Sequence, residues 1–381
     1  MQHARQILIP LILLAGCSGN ANAPAAVQGD ARPFTVETIA DLDSPWAMTF
    51  LPDGSHALIT EKGGKLKLWR VSDNRITEVS GVPAVSAGGQ GGLGDVVLHP
   101  DFASNNMVYL SWATEGEGGR LAVVGRARLN VNAETGVAAL ENVSPVWRQS
   151  EGHSEGGHFS HRIAFGPDGK LYISSGDRQN FDPAQDPNGN LGRIVRLNDD
   201  GSVPADNPWA ERGGVGAQAW TMGNRNPLGL AFAPDGRLWS HEMGPRGGDE
   251  FNRIERGSNY GYPIVSDGDH YDGRDIPDHS TRPEFNAPEI TWTPVISPSS
   301  LIFYTGDKFP QWRGNALIGS MGAQGIVRVE ITGDTAREVE RLDLGARIRE
   351  IEQAPDGSLY VLEDEARGSQ GRLLKLVPAQ R

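Results

Sequence analysis

His158 and Asp177 stand nineteen positions apart, and so do Arg225 and Gly244, each pair flanking a short apolar hairpin. In a hairpin, the residue just before the first strand and the one just after the second lie at the same end. The equal spacing therefore predicts that an imidazole meets a carboxylate on one ledge, and that a guanidinium meets a Gly-Pro ledge on the next. A histidine held beside a carboxylate can serve as a general base near neutral pH. Gln90 precedes another hairpin, and Arg347 and Arg349 open the last one. If these ends converge, three guanidiniums and an amide join the pair. Guanidiniums crowded away from water need anionic partners, so the cluster predicts a polyanionic ligand unless nearby Asp and Glu neutralise it. Taken singly, any of these residues could merely satisfy backbone groups at a strand end; their joint placement favours a site.

The hairpins come from one recurring phrase, an apolar strand, a Pro-Asp turn and a second apolar strand. Its clear copies run from Trp46 to Gly54, Leu93 to Asp101, Arg162 to Gly169, Leu228 to Gly236 and Arg349 to Gly357. Proline presets one backbone angle of the turn and glycine tolerates the left-handed conformation that a tight reversal needs. The turn aspartates fall at 53, 101, 168, 235 and 356, and the last step is long enough to hold a degenerate copy, Ser300 to Asp307 followed by Asn315 to Gly319. Glycine-rich repeats of about 40–50 residues that each start with a hairpin are the mark of a β-propeller. The expectation is an all-β fold, a six-bladed β-propeller with four-stranded blades, the longer steps being loop insertions. A sandwich would need fewer strands and a βαβ fold would need helices between them. In a propeller the first strand of each blade lines the central channel, so the residues in front of these strands meet around one axis.

Charge and the N-terminus narrow the partners. A net charge of −13 and a pI near 5.2 argue against nucleic acid, whose phosphates need clustered Lys and Arg. The chain opens with His3 and Arg5, an apolar run from Ile7 to Leu14, and then Leu14-Ala-Gly-Cys17. The run is too short to span a bilayer and reads as a signal peptide, and the tetrapeptide resembles a bacterial lipobox. The expected division is a lipoprotein signal peptide over 1–16, a flexible tether from a lipidated Cys17 over 17–33, and the propeller over 34–381. Ser18 fits outer-membrane sorting, which predicts an exported protein facing the periplasm and touching the membrane only through its lipid. Cys17 is the single cysteine, so no intrachain disulfide can form.

Two motifs are set aside. Gly89-Gln-Gly-Gly-Leu-Gly94 matches a dinucleotide fingerprint but leads into a strand, not a helix. The segment Asp267 to Gly273 looks like a calcium loop, yet Tyr271 replaces a ligand and Asp278 stands where Glu is required.

Several motifs, in order along the chain, are similar to those of the pyrroloquinoline quinone (PQQ)-dependent soluble glucose and aldose sugar dehydrogenases. They are Gly89 to Gly94 with His99 to Phe102, Gly157-His-Phe159, Ser175-Gly-Asp177, Gly223 to Gly229, Glu242 to Glu250, Gly257 to Pro263, Lys308 to Trp312, and Arg347-Ile-Arg349. The resemblance implies a planar orthoquinone with three carboxylates, which arginines would anchor. It implies that Arg225, Arg347 and Arg349 hold PQQ, with Gln90, Asn226 and the Tyr271-Asp272-Gly273 loop in contact with cofactor or substrate. It further implies a Ca2+ on the backbone carbonyls of Gly244 and Pro245 that polarises the quinone, and a second Ca2+ involving Glu250 and the Tyr260 carbonyl. His158 would take the proton from the anomeric hydroxyl of an aldose while hydride passes to PQQ, giving a lactone. Asp177 would orient and help charge the imidazole, and Arg225 would stabilise the developing oxyanion. Electrons would then leave to an external acceptor, a cytochrome or the quinone pool.

Three positions depart from the family pattern. Gly157 replaces the Asp or Asn that commonly precedes the histidine, His161 stands where a small residue is usual, and the Ser320 to Ile326 stretch lacks the lysine that often pairs with a cofactor carboxylate. The competing readings are a calcium-dependent lactonase-type hydrolase, which would need carboxylates and a metal-bound water in place of arginines, and a non-catalytic ligand-binding propeller.

Overall fold

The structure is a computed structural model that describes residues 32–132 and 136–379. The expected signal peptide and Cys17 lie outside the described residues. Strand accounts for 47% of the described residues and helix for 6%, too little helix for any βαβ arrangement.

Each copy of the repeated phrase forms a hairpin. Pro45–Phe50 pairs with His56–Glu61, Leu93–Leu98 with Met107–Gly116, Ser160–Phe165 with Leu171–Ser175, and Pro227–Phe232 with Leu238–Glu242. The degenerate copy is Pro298–Phe303 with Ala316–Ser320, and the last is Ile348–Gln353 with Leu359–Glu363. At the Pro-Asp-Gly turns the glycines take positive φ, as in Gly169 at 70° and Gly236 at 85°. The aspartates act through their side chains, since Oδ1 of Asp53, Asp168, Asp235 and Asp356 each accepts the N–H two residues on. This Asx-type bond closes the turn from the side chain.

Further strands extend each hairpin outward, and the sheets are arranged in a ring. The first strands contact one another in a closed cycle, Pro45–Phe50 to Leu93–Leu98, Ser160–Phe165, Pro227–Phe232, Pro298–Phe303, Ile348–Gln353 and back to Pro45–Phe50. The two ends of the chain share one sheet, in which Phe34–Asp41 pairs antiparallel with Arg372–Pro378, and this fastens the ring where it closes. Apolar side chains fill the spaces between neighbouring sheets as separate packets, for example Trp46, Leu58, Val96 and Leu110 in one and Tyr304, Trp312, Ile348 and Val361 in another.

The centre of the ring is polar by contrast. Arg162 lies over the Trp46 ring at 4.0 Å, pairs with Asp95 at 3.3 Å and Glu350 at 2.7 Å, and donates to the Leu228 and Ser299 carbonyls. One buried guanidinium thereby ties several first strands together. His161 packs against Trp46, with its Nδ1 2.7 Å from the Ser111 hydroxyl, and burial lowers its pKa to about 3. It is a core residue.

The sheets do not all have four strands. Ser160–Phe165, Leu171–Ser175 and Arg193–Leu197 form a sheet of three. The following stretch carries Pro208 and the positive-φ pair Gly213-Gly214, and it coils into the short turns Ala210–Arg212 and Val215–Gln218. Only Ala219 bridges to Val195. Conversely, Arg75–Ser80 pairs in parallel with Ala138–Arg148, which joins two four-stranded sets into a sheet of eight.

Candidate active site

One hydrogen bond recurs at the same end of every hairpin. The second strand donates an N–H to the carbonyl just before the first: Lys62 to Ser44, Ala113 to Gly92, Gly176 to Phe159, Met243 to Asn226, Met321 to Ser297 and Asp364 to Arg347; the donor is the residue just after that strand in every case but Ala113, where Met107–Gly116 runs on past it. Residues hundreds of positions apart are thus held at one level around one rim. The nineteen-residue pairs straddle this bond, one residue further out on each side.

Both pairs make direct contact. His158 Nδ1 lies 2.6 Å from Asp177 Oδ1. Both side chains are buried, and Asp177 also accepts the Gln179 and Phe181 N–H groups while its own N–H donates to the Arg225 carbonyl. A carboxylate beside Nδ1 can only accept, so the proton sits on Nδ1 and Nε2 keeps its lone pair. Among the described residues Nε2 has no hydrogen-bond partner, and it is the ring's open face. Burial holds the imidazole below its ordinary pKa; Asp177 pulls it back up and Arg225 pushes it further down. Asp177 therefore orients the ring and favours its charged form, as expected, although burial outweighs it.

His158 sits at φ 51°, and its N–H donates to Gln90 Oε1 at 2.8 Å. Gln90 thus spends its amide oxygen on the backbone of the base. A Cβ on Gly176 would come within 2.0 Å of the His158 carbonyl, so the Ser-Gly-Asp sequence needs its glycine. A Cβ on Gly157 would meet Gln179 Oε1 at 2.7 Å. The amide of Gln179 lies in the space that a side chain at 157 would enter.

Arg225 NH1 donates to the Met243 and Gly244 carbonyls at 2.9 and 2.8 Å. Its guanidinium lies 5.7 Å from the Tyr262 ring centre and 5.8 Å from that of Tyr271, and Nε is buried without a partner. Glu242, fully enclosed, accepts the N–H groups of Arg225 and Asn226 and the Asn224 side-chain amide. Asn226 Oδ1 accepts the Ser160 hydroxyl, but its Nδ2 is buried and unpartnered.

Arg347 and Arg349 converge on one carboxylate. Arg347 Nε donates to Asp364 Oδ2 at 2.9 Å, and Arg349 NH2 donates to Oδ1 at 2.7 Å. Burial alone would raise the Asp364 carboxyl, yet the two guanidiniums, Arg349 foremost, hold it below the usual range.

Of the Tyr271-Asp272-Gly273 loop, Tyr271 reaches the site. Its hydroxyl is 3.4 Å from Arg225 NH2 and the residue is 72% exposed, so it overhangs the opening. Asp272 turns outward to Arg274 and Gly273 serves the turn at φ 89°, so the Asp272 carboxylate points away from Arg225. The proposed metal positions split similarly. The Gly244 carbonyl faces Arg225, and a Cβ on Gly244 would strike the Gly248 and Gly247 carbonyls at 2.2 and 2.3 Å. Only glycine allows carbonyls to crowd this ledge, which carries on to Pro245. Glu250 is buried and donor-poor, accepting from Asn252 at 3.0 Å. Burial, then Glu242, Asp267 and Asp249, raise its pKa well above the ordinary value. The Tyr260 carbonyl accepts from His279 Nε2 at 3.0 Å. Among the described residues no three His, Cys, Asp or Glu side chains converge closely enough to hold a metal by themselves, so a cation here would rest partly on carbonyl oxygens. Mixed carbonyl and carboxylate oxygens are the donors that calcium prefers.

Comparison with known proteins decides the family. The family described as Glucose / Sorbosone dehydrogenase matches residues 42–375. The chain belongs to that family. Aldose sugar dehydrogenase YliI of Escherichia coli (strain K12) is 40% identical over 387 residues, covering 99% of this chain and all of that one. The apo-form crystal structure of the soluble aldose sugar dehydrogenase from Escherichia coli matches at TM-score 0.82 and 39% identity, covering 91% of this chain and 100% of that chain. The PQQ-bound aldose sugar dehydrogenase of Streptomyces coelicolor matches at TM-score 0.72 and 27% identity, covering 91% and 99%. The resemblance carried by the motifs holds over nearly the whole chain, and the protein is an enzyme of this dehydrogenase family.

Two rim residues of this dehydrogenase, Glu242 and Asp364, carry no role that their sequence context reveals. Glu242 lies within a matched motif and Asp364 lies in none. The signal that finds Asp364 is register: it follows Leu359–Glu363 as Gly176 follows Leu171–Ser175.

Proposed function

We propose that the protein oxidises the anomeric carbon of aldoses to lactones, using PQQ and Ca2+, on a propeller of six blades whose eight-stranded sheet is two blades joined at their edges. The closed cycle of first strands supports the blade count. The observation that carries the activity is the His158–Asp177 pair opening onto the same rim as Arg225, Arg347 and Arg349.

The residues present fit the cofactor. A tricarboxylate needs donors that are already in place, and Arg225 Nε and Asn226 Nδ2 are buried donors with no partner. Arg347 and Arg349 share a single carboxylate, which leaves one positive charge over at that side of the rim. When bound, PQQ supplies the two-electron acceptor for hydride, and Ca2+ on the Gly244 and Pro245 carbonyls would make it more electrophilic. His158 Nε2 takes the proton of the anomeric hydroxyl. Asp177 holds the Nδ1 proton and steadies the imidazolium as it forms. The Arg225 guanidinium supplies positive charge where oxygen becomes negative. A hydrolase would use carboxylates to hold a metal-bound water at this rim, and the rim carries guanidiniums.

Purified protein lacking its lipid, given PQQ, Ca2+ and a panel of aldoses, should reduce a redox dye, and excess EGTA should abolish the activity and lower the melting temperature of the PQQ-loaded protein. No dye reduction with any aldose, together with no PQQ binding, sinks the reading. The electron acceptor in the cell is proposed to be a cytochrome or the quinone pool. We further propose that the chain is an outer-membrane lipoprotein facing the periplasm. Mass spectrometry of the mature N-terminus should show a diacylglyceryl-modified Cys17, and an unmodified or uncleaved terminus rules this out.

A further inference from the structure

Lys62 occupies, at the end of His56–Glu61, the same rim position that Asp364 occupies at the end of Leu359–Glu363. Its N–H donates to the Ser44 carbonyl as Asp364 donates to Arg347, and the two strands' hairpins are neighbours in the ring. The ammonium reaches over the rim to the Gly89 carbonyl at 3.2 Å, beside Gln90. Among the described residues no carboxylate pairs directly with this ammonium. Asp364 is taken by Arg347 and Arg349. Glu61 faces Lys67 and the Asp43 N–H, and Glu363 faces Arg372. Glu365 is turned to the Ser44 N–H and hydroxyl, so Lys62, Arg347 and Arg349 stand together around the one carboxylate of Asp364.

Such an arrangement is unfavourable in the free protein. Burial lowers the Lys62 pKa, Arg349 lowers it further, and Asp364 only partly offsets them. A flexible lysine that could swing into water is instead held half-buried next to a guanidinium, and that placement makes sense if an anion completes it.

We infer that Lys62 binds a carboxylate of the quinone cofactor, supplying from the first hairpin the ammonium that the Ser320 to Ile326 stretch lacks. This rests on the PQQ reading above. The Gly89 carbonyl is a neutral acceptor that holds the ammonium in position and does not use up its charge. Lysine brings three rotatable donors, so it can keep Gly89 and still engage a carboxylate.

The test is a titration of metal-loaded apoprotein with PQQ, followed by quenching of tryptophan fluorescence, for wild type, K62M and K62R. Wild type should bind, K62R should bind within about threefold of it, and K62M should bind about tenfold to a hundredfold more weakly, the worth of one charge-assisted hydrogen bond. Failure of wild type to bind PQQ defeats the cofactor reading itself. Binding by wild type with K62M inside twofold of it overturns the role of Lys62 alone. A second measurement uses the native residue. In protein with 13C-labelled lysine, with the Lys62 Cε resonance assigned through K62R, PQQ should raise the pH at which that resonance titrates; a titration that does not move overturns the inference.

Discussion

Replacing His158 by alanine should lower aldose oxidation by on the order of 10²–10⁴, the usual worth of a positioned general base, while PQQ affinity stays within a few-fold of wild type. The separation follows from what the side chain touches. Its hydrogen-bonding partner is Asp177, and Asp177 keeps the Gln179 and Phe181 N–H groups when the ring is gone. The backbone of residue 158 keeps its bond to Gln90. The variant should therefore fold and retain the arginine side of the rim, losing only the group that acts as the proton leaves. Equal losses of PQQ binding and of turnover would show instead that His158 is structural.

The same geometry fixes a pH dependence. Because burial holds the His158 pKa below its ordinary value, the basic form persists at neutral pH and kcat/KM should be level there. The acid limb should fall on the low side of about pH 6.5, the ordinary histidine value. D177N removes the one neighbour that raises the pKa, so its acid limb should move lower still while kcat drops, the ring having lost its orientation. A D177N limb displaced upward would contradict Asp177 as the neighbour that raises the pKa, and a wild-type limb above about pH 6.5 would contradict desolvation as the dominant influence.

The scaffold is legible in sequence because each turn states its own chemistry. Pro-Asp-Gly prescribes a reversal through the proline angle, the Asx bond and the glycine φ, independently of anything far away. His158 with Asp177 and Arg225 with Gly244 are legible for the same reason, since a tight hairpin converts sequence spacing into proximity. What lies hidden is either an acid whose partners across its own hairpin carry no motif that flags it, or a contact between different hairpins. Asp364 neutralises two arginines seventeen and fifteen residues earlier, and Glu242 gathers three N–H groups from the loop before its partner strand; each reads in sequence as an ordinary acid at a strand end. Lys62 escapes a sequence reading because its neighbours come from the far end of the chain. Gly157 gives no hint in sequence that Gln179 lies in the space beside it. The Asp272 carboxylate points away from Arg225 although it adjoins Tyr271, because successive residues in a turn point in different directions. The fourth strand expected beside Arg193–Leu197 fails for a local reason, a proline and two consecutive positive-φ glycines that favour turns over a ladder.

Removing Arg347 and Arg349 together should weaken PQQ binding by roughly 10²–10³, two charge-assisted hydrogen bonds at about 1.5 kcal/mol or more each, but the plain double alanine variant would confuse this with folding. Asp364 would be left buried without a cation, at a cost of several kcal/mol. The sign with pH is also set. The Asp364 carboxyl is depressed in the folded protein, so its contribution to stability is full above the ordinary Asp pKa of about 3.9 and is lost as pH falls through the depressed value. The informative variant is R347M/R349M/D364N, which removes the buried anion with its partners. It should melt near the wild-type temperature and still fail to bind PQQ tightly. D364N alone makes the opposite prediction: it frees both guanidiniums from their internal partner, so PQQ should bind at least as tightly as to wild type. If D364N weakens binding as much as the triple variant, Asp364 is holding the arginines in place for the ligand and is not competing with it; if the triple variant binds normally, the two arginines are structural and the anionic ligand is held elsewhere.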